Sequence, residues 1–170
     1  GLYDANLTAY NGCKVSAAVK TEAVPPVITY PEFSLRIAKI ASELELEIFA
    51  EKDTRIAAGD FFVSFDETAY QCVEIVKTLD KSMVVGNVAF KTGVARLSFI
   101  YEDGITEDTV LVRLRFKFLA RCGAEAEFGL SGSKITDKDF KEQTVGYKGV
   151  KVAVSHDLVH HAAKEATCTE

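Results

Sequence analysis

The residue types best suited to metal chemistry gather near the end of the chain, in His156, His160, His161 and Cys168. Imidazole and thiolate are zinc ligands, but this spacing closes no four-ligand pattern within the chain. It reads instead as the opening of a further module. Asp137, Asp139 and Glu142 place carboxylates in one loop, as a Ca²⁺ site requires, yet Lys138 and Lys141 stand between them. The pairs Glu102-Asp103 and Glu107-Asp108 flank Gly104 and read as a solvated turn. No GxSxG, HExxH, P-loop or GxGxxG pattern occurs. All 3 histidines lie in the tail, so acid–base work elsewhere near neutral pH falls to shifted carboxylates or lysines, and nothing marks one out. The expectation is a chain with no catalytic residue, no cofactor and no resident metal.

Cys13, Cys72, Cys122 and Cys168 are spread along the chain without a CxxC pair. Several pairings are open, and the redox compartment is not set by them. Cys72 stands at an apolar position of a strand-like run and reads as a buried thiol. Cys122, in Arg121-Cys122-Gly123, is ambiguous.

The elements that must position any site are short. Leu44, Leu46 and Ile48 alternate with Glu45 and Glu47. Phe61, Val63 and Phe65 oppose Asp60, Phe62 and Ser64, and Val112, Leu114, Phe116 and Phe118 oppose Arg113, Arg115 and Lys117. Phe33, Leu35, Ile37 and Lys39 share a face by the same period. Val88-Ala89-Phe90, Ala95–Phe99 and Gly149–Val154 continue the series. Residues 67–77 are expected to make one helical turn and then a strand. Alternation over many short segments marks strands with one buried face, and two such sheets packed together make a sandwich. The fold class is therefore all-β. Residues 1–31 differ: they hold all 3 prolines and an Asn11-Gly12 turn signal for a small hairpin, with Pro25-Pro26 stiffening a connector. The reading is an extension or preceding tail over 1–31, a sandwich over 32–155, and a linker with the start of another module over 156–170.

With 170 residues, 48% apolar and 26% charged, the chain suits one globular domain with tails and excludes general disorder. A net charge of −5 argues against a nucleic-acid partner. No apolar run of roughly 18 residues is present, so membrane insertion by a helix is not expected. Asp4, Asn6, Asn11 and Lys14 interrupt residues 1–20, which do not read as a secretory leader. Trp is absent beside 11 Phe and 6 Tyr, so aromatic mass must come from Phe and Tyr.

The run Ile56-Ala57-Ala58-Gly59-Asp60-Phe61-Phe62-Val63-Ser64-Phe65-Asp66 resembles a cohesin module: small residues lead into Asp-Phe, alternation, and a Phe-Asp corner. Glu67 stands where that family often has Pro. Ala95–Phe99 through Glu102-Asp103-Gly104 to Val110–Phe118, and Ala126–Phe128 through Ile135–Asp137 to Val150–Val152, follow in matching order. The resemblance covers about residues 33–154. It implies a nine-stranded jelly-roll sandwich of two antiparallel sheets. It also implies a role in extracellular or cell-surface assembly, with one sheet face gripping a dockerin borne by polysaccharide-degrading proteins. Ala41-Ser42-Glu43 replaces the family's longer first turn. By position, Asp60 matches a family Asp that hydrogen-bonds the dockerin, and Ala58 falls where many members place Asn. Phe62 and Ser64 point the same way as Asp60, and Ser98 and Ile100 face out beside them if Leu97 and Phe99 face in. A carbohydrate-binding module is the alternative, with Phe rings stacking on sugar, and a structural spacer is a third reading. The final Lys164–Glu170 segment is similar to the start of a Cys-containing repeat in large surface proteins of anaerobic Gram-positive bacteria.

Overall fold

A computed structural model describes residues 28–119 and 125–153. Ten strands follow one another: β1 Glu32–Ile40, β2 Glu43–Ala50, β3 Ala58–Ser64, β4 Tyr70–Lys77, β5 Met83–Lys91, β6 Val94–Ile100, β7 Thr109–Phe118, β8 Glu125–Thr136, β9 Gly146–Lys148 and β10 Val150–Ala153. They form two five-stranded sheets, ordered β9-β1-β2-β7-β4 and β10-β8-β3-β6-β5. The two stack as a jelly-roll sandwich, as expected. The Asn11-Gly12 hairpin, the Pro25-Pro26 connector, Cys13, Cys122, the three histidines and Cys168 lie outside the described residues. No described helix is long and apolar enough to cross a membrane.

Alternation builds each sheet. Leu44, Leu46 and Ile48 of β2 and Leu114 and Phe116 of β7 are fully buried, while the Glu and Arg residues between them point outward. The register pairs Glu43 with Lys117, Glu45 with Arg115 and Glu47 with Arg113. Ion pairs follow: Arg115 bonds Glu43 at 2.9 Å and Glu74 at 2.6 Å, and Arg113 reaches Glu47 at 3.4 Å. These pairs are partly exposed and add little stability, but opposite charges across the strands disfavour a slipped register.

The core is largely phenylalanine. Phe33 and Phe61 meet edge to face across the two sheets, with centroids 4.9 Å apart. Phe128 contacts Phe116 at 5.1 Å and Tyr70 at 4.9 Å. Each such ring contributes roughly 1.5–3 kcal/mol by burial, and such pairs add about 0.5–1.5 kcal/mol.

Three details differ from expectation. Among the described residues there are ten strands, not nine, and β9 pairs with β1 in parallel, so the first sheet is not wholly antiparallel. The cause is Gly149. The chain crosses there from one sheet to the other, giving β9 to the first and β10 to the second. A Cβ at Gly149 would collide with the Phe128 carbonyl oxygen, so only glycine permits the crossing. Ile37 is not buried with Phe33 and Leu35: it is 40% exposed, at the point where the ladder begins to shift between Ile37 and Lys39. The turn and strand expected over 67–77 are present: the Ala69 and Tyr70 N–H groups donate to the Asp66 carbonyl before β4 begins.

Cys72 lies free in the core on β4, and burial pushes its thiol up to about 11. At about pH 8 its alkylation in the native protein, followed by site-resolved mass spectrometry, should lag the unfolded rate by at least about a hundredfold. Equal rates would show that β4 opens freely.

Candidate functional site

β3 runs between β8 and β6 in the middle of the second sheet. Burying Phe61 and Val63 turns Ala58, Asp60, Phe62 and Ser64 to the outer surface. On β6, burial of Ala95, Leu97 and Phe99 does the same for Arg96, Ser98 and Ile100. The register sets them in rows: Ala58 faces Ile100, Asp60 faces Ser98, and Phe62 faces Arg96. The third strand of the face, β5, places Met83 beside Ile100, Val85 beside Ser98 and Asn87 beside Arg96. The residues singled out in the sequence thus share one face on adjacent strands. Ser64 lies at the far end, opposite Val94 and Gly129, away from the apolar residues.

The face has an apolar side and a charged centre. Met83 is 61% exposed, Val85 67% and Ile100 44%. These three were not all anticipated: Met83 and Val85 belong to a part of β5 that the sequence reading left out. Gly86 and Asn87 have turn character, which breaks the apparent strand. Gly86 is there for space, since a Cβ would stand 2.9 Å from Cδ1 of Ile75 on the other sheet.

At the centre, Asp60 Oδ1 accepts the Ser98 hydroxyl at 2.6 Å, and Oδ2 accepts Arg96 Nη2 at 3.2 Å. The Ser98 bond, then Arg96, hold the Asp60 carboxyl below its ordinary value of 3.8, against the opposing effect of burial. Lys134 adds to this field. Its place follows from a bulge: Ala58 pairs with Thr136 but Asp60 with Ser133, so Lys134 and Ile135 together oppose Gly59. Ile135 turns into the core, while Lys134 stays exposed in a left-handed backbone, φ 57°. Arg96 also lies 5.9 Å from the Phe62 ring and 5.7 Å from the Phe90 ring. Arg96 was legible from the same alternation that pointed Ser98 outward.

The other candidates do not assemble. Asp137 Oδ1 accepts the N–H groups of Asp139 and Lys141 at 2.9 and 3.0 Å, and Oδ2 accepts Gln143 Nε2 at 3.0 Å. It ties its own loop, and these bonds hold its carboxyl below the usual range. Asp137, Asp139 and Glu142 do not converge: among the described residues no three His, Cys, Asp or Glu side chains come together for a metal. Glu102, Asp103 and Glu107 are exposed, and Asp108 accepts the Lys52 N–H at 2.8 Å.

A carboxyl held low in the folded state stabilises it above its ordinary value, and that contribution is lost as pH falls through the lowered value. Wild type should exceed Asp60→Asn in stability near neutral pH, by on the order of 1 kcal/mol. In urea titrations the gap should close as pH drops below 3.8. A gap constant across that range would mean that the charge contributes nothing.

No protein-family model matches the chain, and no curated protein sequence does. Solved structures do. A non-cellulosomal cohesin from the archaeon Archaeoglobus fulgidus superposes with a TM-score of 0.63 at 15% identity, covering 81% of this chain and 100% of that one. A cohesin module from a Clostridium perfringens family 33 glycoside hydrolase gives 0.64 at 15% identity, covering 75% and 98%. The cohesin of the Coh-OlpA–Doc918 type I cohesin–dockerin complex from Clostridium thermocellum gives 0.63 at 15% identity, covering 75% and 100%. Three independent cohesins thus span nearly their whole length on the same two sheets, and the chain has the fold of a cohesin module.

Proposed function

We propose that the chain is a non-catalytic protein-binding module that receives a dockerin on the outer face of β3, β5 and β6. The observation that carries this reading is the cohesin fold bearing, on one sheet face, exposed Met83, Val85 and Ile100 beside the bonded Asp60, Ser98 and Arg96. Apolar side chains round a polar anchor are what a desolvating interface needs. Two neighbours in fold are complexes in which a Clostridium thermocellum cohesin holds a dockerin. In this reading Ala58, Asp60, Phe62, Ser98 and Ile100 lie within the contact, and Ser64 at its margin. The module would work in a secreted or surface-attached polypeptide that gathers polysaccharide-degrading or surface proteins.

On the opposite sheet face Arg113 and Arg115 are instead paired with Glu47, Glu43 and Glu74.

Immobilised protein titrated with a panel of dockerin modules should give at least one saturable binder. Ile100→Lys, which places a charge in the apolar row, should weaken it by at least about tenfold. Asp60→Ala should weaken it too. A folded protein that binds none of the panel overturns the proposal.

Carbohydrate binding has one observation in its favour. Phe140 is 88% exposed and sits at φ 64° on the loop tied by Asp137. Glycine takes that backbone conformation at lower cost, so the ring does not serve folding. Phe140→Gly should leave stability unchanged or raise it by about 1 kcal/mol. In the sugar-binding reading it should also abolish retention on insoluble polysaccharide. No retention of wild type on any polysaccharide removes that reading.

A further inference from the structure

Asp60 is the residue that a partner's donor would be expected to seek, yet its own sheet already occupies it. Ser98 donates to one oxygen and Arg96 to the other, and the Asp60 side chain is only 16% exposed. A partner's hydroxyl or ammonium would have to compete with donors fixed at direct and diagonal positions across the strands. Arg96 is in the opposite condition. Its side chain is 39% exposed, and one guanidinium nitrogen, Nη2, is engaged by Asp60. A guanidinium has five N–H donors, and among the described residues Asp60 is the one partner Arg96 bonds, which leaves donors for a ligand. Asp60, Phe62 and Phe90 brace the group, which fixes its direction before any partner arrives. Lys134 lies close enough to bear on Asp60, and Lys91 stands 5.6 Å from the Phe90 ring. In a chain of net charge −5, this face is a local positive field beside an apolar row.

We infer that the face selects a partner whose docking surface carries a carboxylate beside apolar side chains, and that Arg96 reads that carboxylate. The carboxylate takes the free N–H donors of Arg96, where a planar fork gives a directed, two-bond contact. The partner's apolar side chains cover Val85, Met83 and Ile100, which excludes water from the pair. Within the contact, Asp60 and Ser98 act as positioning residues: their own bonds hold Arg96 for the partner. This rests on the dockerin reading and narrows it to dockerins with an acidic docking surface.

The test uses a dockerin that binds in the panel, measured calorimetrically against wild type, Arg96→Gln and Arg96→Glu. Arg96→Glu should weaken binding by at least about tenfold and Arg96→Gln by less, as expected for close charge pairs. Changing the matching partner carboxylate to Lys should restore binding to Arg96→Glu and weaken it to wild type. Raising salt should weaken the wild-type complex more than the Arg96→Gln complex. If Arg96→Glu fails to fold beside Asp60, the Arg96→Gln loss and its salt dependence decide the matter. A binder that is indifferent to both variants, or that tightens on losing Arg96, overturns the charge rule and leaves the dockerin reading standing. A panel with no binder removes both.

Discussion

The edge-to-face contact of Phe33 with Phe61 joins the two sheets, and the candidate face depends on it. A strand sends neighbouring side chains to opposite sides, so placing Phe61 inside forces Asp60 and Phe62 out. Phe99 does the same for Ser98 and Ile100 on β6. A slip of one residue in either strand would bury the charges and expose the rings, which makes the register costly to break. The surface chemistry is therefore fixed by the core rather than by a loop. No induced fit is needed to bring Asp60, Ser98 and Arg96 together.

The two outer faces have solved the same solvation problem in different ways. On the first sheet, Glu43, Glu47 and Glu74 sit against Arg113 and Arg115, so charge is matched within the face. Arg36 covers Phe49, with Cζ 3.5 Å from the ring centroid, and hides the aromatic surface there. On the second sheet, Met83, Val85 and Ile100 stand without such cover, and the one paired carboxylate leaves its arginine with donors to spare. The first face matches its charges within itself, and the second leaves apolar side chains and arginine donors exposed.

Much of this was legible in the sequence because period two is a strong signal wherever one face is buried. Leu44, Leu46 and Ile48, and the outward set from Ala58 to Ser64, read directly. The resemblance carried by Asp60-Phe61 and the Phe65-Asp66 corner pointed to the fold that the solved cohesins share. What failed to read was set by contacts across the fold. Met83 and Val85 were lost because Gly86 looks like a turn when its reason, the approach of Ile75, lies on the other sheet. β9 did not read because it is a separate short strand before Gly149, where the close passage of Phe128 lets only glycine cross between the sheets. The bulge at Ile37 and the capture of Asp60 by Arg96 likewise depend on partners remote in sequence.

The parallel pairing of β9 with β1 has a mechanical meaning. It matches Gly146, Tyr147 and Lys148 with Glu32, Phe33 and Ser34, so the first strand lies alongside one of the last. Tyr147 stacks on Phe33 across that pair, with centroids 5.9 Å apart. Two parallel strands drawn in opposite directions slide along each other, and their bonds share the load instead of opening in turn. Opposed forces applied along β1 and β9 themselves therefore meet the pair in shear.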